Sequence, residues 1–135
     1  MHNQNQISSI LGLDQTATAA MVKQGFHTSV VDALSDYLAI PRPNVLAHLN
    51  ISTRTFARRQ SNKRLNPEES DRVWRAARII AKATDLFKDS SAASTWVRLP
   101  VPALSGESPL DCSSTSIGAR EVEEHIGRLQ HGIPT

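Results

Sequence analysis

Apolar residues recur along this chain at the three- and four-residue spacing of helices that bury one face, and no stretch alternates as a strand does. Residues 1–6 are polar and read as a frayed end, while Ile7, Ile10, Leu11 and Leu13 can pack a short turn. Asp14 reads as the N-cap of a helix over 15–24 that Gly25 stops. Thr28 or Ser29 opens the next helix, with Val30, Val31, Leu34, Tyr37 and Leu38 on one face until Pro41 and Pro43 interrupt it. Residues 44–49 then form a short helix, with Val45, Leu46 and Leu49 inward.

The following stretch has a different character. Ser52 can cap a helix over 53–60 whose only large apolar residue, Phe56, predicts a single anchor. At about 100° per residue, Arg54 and Arg58 lie opposite Phe56, one turn apart, with Thr55 beside them. From Arg54 to Arg64 there are five basic residues and no acidic ones. A helix, a connection of about three residues and a second helix with one apolar anchor is the helix-turn-helix pattern; the first helix braces the DNA backbone and the second enters the major groove. A merely solvated basic helix would carry the same charges, but the short helix before it favours DNA. On that reading Thr53, Arg54, Thr55, Arg58 and Arg59 contact DNA, Ser52 caps, and Lys63 and Arg64 meet phosphates. Arg54 and Arg58 suit base edges and phosphates equally.

Asn66, Pro67 and Glu69 combine a cap, a first-turn proline and a capping-box acid, so a long helix is predicted from Pro67 to Phe87. Val73, Ala76, Ala77, Ile80, Ala83, Thr84 and Phe87 make its apolar face, which Trp74 and Ala81 widen. Arg72, Arg75, Arg78 and Lys82 line the rest, as a solvated face, a track of phosphate contacts or a dimer seam. So wide an apolar face must pack against something substantial, either the C-terminal part or a second subunit. Residues 92–98 predict a short helix with Ala93, Trp96, Val97 and Leu99 apolar, stopped by Pro100 and Pro102. Ser108 starts a one-turn helix. Thr115 caps a last one over 116–130, with Ile117, Val122, Ile126 and Leu129 apolar and Gly132 beyond its end.

Charge divides the chain. Residues 1–88 hold 12 Lys/Arg against 7 Asp/Glu, a balance of +5, and residues 89–135 hold 3 against 6, a balance of −3. The two parts therefore suit different partners. Cys112 is the only cysteine, which excludes an internal disulfide and suggests a reducing compartment. No leader pattern and no long apolar run is present, so a cytoplasmic protein without membrane association is expected. Glu121 and His125 stand one turn apart, but no cluster of Cys or His accompanies them, no glycine-rich phosphate loop is present, and no His lies near Cys112 in sequence. No catalytic residue, metal or cofactor is expected.

Several stretches resemble one family. Residues 66–72, Asn-Pro-Glu-Glu-Ser-Asp-Arg, are similar to its helix start L-s-x-E-E-S-D-R. The run from Ala93 through Trp96 to Pro100 resembles A-x-x-W-L-x-x-P, and Leu104 to Asp111 resembles L-g-G-x-x-P-L-D. Thr115, Gly118, Val122, Gly127, Arg128 and Gly132 match its ending. The family is the Xre-type antitoxins of RES–Xre toxin–antitoxin modules, also called the MbcA/ParS/Xre antitoxins, and the resemblance covers about residues 28–133. Val97, Ser105 and Ile126 depart from it by packing-neutral swaps.

The resemblance implies an all-α, non-enzymatic protein. Its N-terminal Xre-like helix-turn-helix bundle (residues 1–87) would bind operator DNA of its own promoter. A long helix would join it to a small C-terminal toxin-binding domain (residues 88–135). The partner implied is a RES-domain toxin that consumes NAD or transfers ADP-ribose, its active-site entrance covered by the antitoxin. A homodimer, and higher hetero-oligomers with toxin, are also implied. Toxin contacts are expected from Glu121, Glu124, Arg128, Gly132, Ile133, Pro134 and Thr135, the charged ones of which would otherwise be an ordinary solvated face. A different reading remains open: a stand-alone helix-turn-helix regulator whose C-terminal lobe dimerises or senses a ligand.

Overall fold

The computed structural model describes residues 2–132, with side chains from residue 6 onward. Among these residues the fold is all-α. Its helices are α1 (His2–Ile10), α2 (Ala19–Gln24), α3 (Ser29–Leu38), α4 (Arg42–His48), α5 (Thr53–Asn62), α6 (Pro67–Phe87), α7 (Ser90–Trp96), α8 (Pro109–Cys112) and α9 (Ser116–Gln130), with a 3-10 turn at Pro102–Leu104. The one extended pairing among them is an isolated bridge between His27 and Arg64.

The sequence of α6 explains its place at the centre. Asn66 accepts from the Glu69 amide while Glu69 accepts from the Asn66 amide, so the predicted capping box forms in full. Beyond it Val73, Ala76, Ala77, Ile79, Ile80, Ala81 and Ala83 are all buried. That burial extends well past the single face read from spacing, because α1, α2, α3, α7, α8 and α9 all pack on this helix. Its alanines let neighbours approach closely, and each fully buried Val or Ile contributes about 1.5–3 kcal/mol. One apolar cluster runs from Ile7 through α6 to Ile126.

The arginine row of α6 differs from every reading suggested for it. Arg72 Nε donates to the Leu49 carbonyl at 2.8 Å. Arg75 donates to the carbonyls of Ser113 and Ser114 at 3.1 and 2.9 Å and pairs with Asp71. Arg78 pairs with Glu123 at 2.9 Å, and Lys82 stands 3.8 Å from the same carboxylate. These cations satisfy the open carbonyls at the ends of α4 and α8 and hold α9, so the row is internal stitching.

Smaller corrections have local causes. The expected frayed end is helical from His2, since Ile7, Ile10 and Leu11 are buried and Gln6 Nε2 donates to Asp85 at 3.1 Å. Thr18, not Asp14, caps α2 by accepting from the Met21 amide. The fourth helix begins at Arg42 and α7 at Ser90, each a little earlier than predicted, the latter capped by Asp89. Phe87, expected inward, is 37% exposed. Gly118 opens α9 against the Cys112 carbonyl oxygen so closely that a Cβ would overlap it.

Candidate nucleic-acid interface and partner-binding helix

The turn between α4 and α5 is closed by backbone geometry. Asn50 takes the left-handed conformation (φ 57) that Asn tolerates, and the Ile51 amide donates back to Leu46 at 2.9 Å. Ile51 is buried, and Ser52 Oγ accepts from the Thr55 amide at 3.0 Å. Phe56 is the one buried residue of α5, as its isolation in the sequence predicts. The Arg42 guanidinium lies 5.2 Å from its ring centroid and also pairs with Asp32 at 2.9 Å.

This anchoring turns Thr53, Arg54 and Arg58 outward, all exposed, with Thr55 half-buried beside the cap. Neither Arg54 nor Arg58 forms an ion pair among the described residues. Ser61, absent from the contacts expected from sequence, continues the same ridge at the next turn and is exposed; the i, i+4, i+7 spacing from Arg54 was its signal.

Arg59 is placed differently. Its guanidinium turns to Glu69, Nε to Oε1 at 2.8 Å and Nη2 to Oε2 at 3.1 Å. Burial pushes the Glu69 carboxyl up, but the Arg59 bonds, the Asn66 amide and nearby Arg72 outweigh it and leave the carboxyl below its ordinary range. The hydrogen bond to Glu69 in turn raises Arg59. Arg64 Nη1 donates to the Gly25 carbonyl at 2.9 Å, and the Leu65 amide to Phe26 at 2.9 Å, so the exit of α5 is tied to the connection between α2 and α3. Lys63 ends α5 exposed, in the left-handed conformation.

The second region is α9. Thr115 caps it, and Gly118, Ala119, Val122, His125 and Ile126 are buried. Glu121 and Glu124 are exposed and Arg128 half-buried on the opposite side. Ile117 shares that side at 70% exposure. Gly132 follows the helix with φ 69, while Ile133, Pro134 and Thr135 lie outside the described residues.

His125 stacks on Trp96, with centroids 6.2 Å apart and planes 10° from parallel. Its Nδ1 is buried without a hydrogen-bond partner. Burial, then Arg128, lowers its pKa. Glu121, its suggested companion for a metal, faces solvent. The Cys112 thiol is buried against the Gly118 carbonyl at 3.5 Å, and burial with Glu107 and Glu121 raises its pKa, which suppresses the reactive thiolate. No helix among the described residues is long and apolar enough to cross a membrane.

His48 Nδ1 of α4 lies 2.8 Å from Asp111 Oδ1 of α8, so the first helix of the helix-turn-helix touches the C-terminal part directly.

Residues 17–78 match a family model described as the antitoxin Xre-like helix-turn-helix domain. Residues 82–132 match one described as the antitoxin Xre/MbcA/ParS C-terminal toxin-binding domain. The Antitoxin Xre of Yersinia enterocolitica is 37% identical over 120 residues, 87% of this chain and 81% of that protein. A protein of the same name from Photorhabdus laumondii is 31% identical over 116 residues, 84% and 78% of the two chains. A Sphingobium protein named Prs ADP-ribosylating antitoxin is 26% identical over 122 residues, 83% and 77%.

Proposed function

Because the chain belongs to the Xre/MbcA/ParS antitoxins, which are not enzymes, we propose that it neutralises a RES-domain toxin encoded beside it and represses the operon the two share. Residues 1–87 read the operator and residues 88–135 hold the toxin. The observation that carries the DNA half is the Arg54–Arg58 ridge, free of ion pairs among the described residues and opposite buried Phe56, on a helix fixed at both ends. Arg54 and Arg58 meet base edges or phosphates with Thr53 and Thr55, Lys63 adds a phosphate contact, and Ser52 caps. Arg59 and Arg64 serve chiefly by holding α5 in place.

For the toxin half, Glu121, Glu124 and Arg128 present the outer face of α9; they, with Gly132, Ile133, Pro134 and Thr135, are assigned to contact the toxin at the entrance of its active site. The name of the Sphingobium relative supports a toxin that transfers ADP-ribose. A homodimer would present two recognition helices to a palindromic operator.

Co-expression with the adjacent reading frame tests this. A stable complex with growth rescue is expected, together with promoter binding that Arg54→Ala with Arg58→Ala abolishes while the complex persists. Retained promoter affinity in that variant, or no complex, overturns the corresponding half.

A further inference from the structure

Three bonds hold the end of α4. Arg72 of α6 donates to the Leu49 carbonyl at 2.8 Å, and the Ile51 amide returns to Leu46 at 2.9 Å. The third joins His48 Nδ1 to Asp111 Oδ1 of α8 at 2.8 Å. An ionised carboxylate only accepts, so Nδ1 carries the proton of this bond. The first two lie inside the helix-turn-helix match at 17–78, whereas Asp111 belongs to the toxin-binding match at 82–132.

Asp111 stands on a firm support. Ser108 Oγ accepts from the Asp111 amide at 3.1 Å, the Ser113 hydroxyl donates to the Leu110 carbonyl at 2.8 Å, and the Leu110 amide donates to Val97 at 3.0 Å. Arg75, the next turn of α6 after Arg72, bonds the Ser113 and Ser114 carbonyls. Leu110 is buried and borders one narrow apolar gap with Val45, His48 and Leu49. The ends of α4 and α8 are thus fastened to successive turns of α6 and to each other.

His48 stands four residues before Ser52, the cap of α5, so the place of the α4 terminus sets the entry of α5. An operator meets both helices at once, and a pair already held in one arrangement loses less freedom on binding than a pair that rocks. We propose that Asp111 is a positioning residue for operator binding. Acting through His48, it keeps α4 and α5 in their docking arrangement, so the DNA-reading unit extends into α8. This rests on the reading of α5 as the operator helix given above.

The test measures, by fluorescence anisotropy, binding of the full chain to the promoter duplex ahead of its own reading frame. Asp111→Ala is expected to weaken binding roughly 3- to 5-fold, the effect of one partly exposed pair, with a melting temperature within a few degrees of the parent. The sign is diagnostic, because deleting a negative charge near a duplex would by Coulomb attraction alone tighten binding. Asp111→Asn, whose amide oxygen still accepts from His48, is expected to bind as the parent does. His48→Ala is expected to show the same loss as Asp111→Ala, and the two together no more than either. Unchanged or tighter binding by Asp111→Ala overturns the proposal. So does Asp111→Asn binding as weakly as Asp111→Ala, or a loss that persists in full when Asp111→Ala is added to His48→Ala. Failure of the parent chain to bind the duplex overturns the DNA reading itself, before any variant is compared.

Discussion

Arg59 and Glu69 meet as a two-pronged fork across the loop between α5 and α6, with both pairs of atoms at hydrogen-bond distance. Glu69 is only 4% exposed and also completes the capping box of α6. One carboxylate thus fixes the recognition helix and starts the central one. Glu69→Ala leaves a guanidinium facing a hole and is expected to lower unfolding free energy by about 3 kcal/mol in a urea titration. Arg59→Lys should recover little, because an ammonium cannot form the fork.

The neighbouring arginines are expected to separate cleanly. Arg58→Ala should weaken operator binding with no change in melting temperature. If Arg58 meets a phosphate, the loss is uniform across sequences and the salt slope of binding falls by about 1; if it meets a base, about 1–3 kcal/mol is lost and specificity relaxes there. Arg59→Ala should instead lower the melting temperature first. Gel shifts over a salt series, beside thermal melts, distinguish the two.

Two groups give stability opposite ends of an acid titration. His125 is held neutral in the fold, so its unfolded form takes up a proton first, from the ordinary imidazole value of 6.5 downward. Stability is complete above that value and falls as pH drops through the window below it. Glu69, ionised in the fold, adds a second loss that begins near its ordinary 4.5 and continues as pH falls. Denaturation midpoints measured from neutral pH downward should fall in two stages, and His125→Phe should remove the first while Glu69→Gln removes the second.

Gly118 and Gly127 share α9 but predict opposite responses to alanine. In an open helix, Ala is favoured over Gly by about 0.5–1 kcal/mol. A methyl group at Gly127 would meet nothing within 4 Å, so Gly127→Ala is expected to stabilise by that amount. Gly118→Ala would drive its methyl into the Cys112 carbonyl and should destabilise by about 3 kcal/mol or more. Paired urea titrations of the two variants check both signs.

The caps were legible because they are local chemistry: Ser52, Asn66, Ser108 and Thr115 each accept from an amide three residues on. Phe56 was legible as an anchor because nothing else on its helix can be buried. The roles of Arg59, Arg72 and Arg75 were not, since, the local Arg75–Asp71 pair apart, their partners lie from 10 to 39 residues away and charge pattern alone does not distinguish a solvated arginine from one bonded to a distant element. The exposure of Ile117 was illegible for a related reason: apolar character alone does not say which face of a helix a neighbour covers. The helix from His2 was illegible because its polar start is held by three buried residues at its far end.

The helix-turn-helix and toxin-binding matches meet inside α6, between residues 78 and 82, where Ile79, Ile80 and Ala81 are fully buried. A cut there would halve a helix and wet its core on both pieces. A chimera joining this helix-turn-helix part to another C-terminal lobe would therefore meet a mismatched seam at Arg75, Arg78 and Lys82. Side chains that face solvent away from α6, Arg54 and Arg58 among them, can be exchanged without disturbing that seam, whereas those buried along α6 cannot.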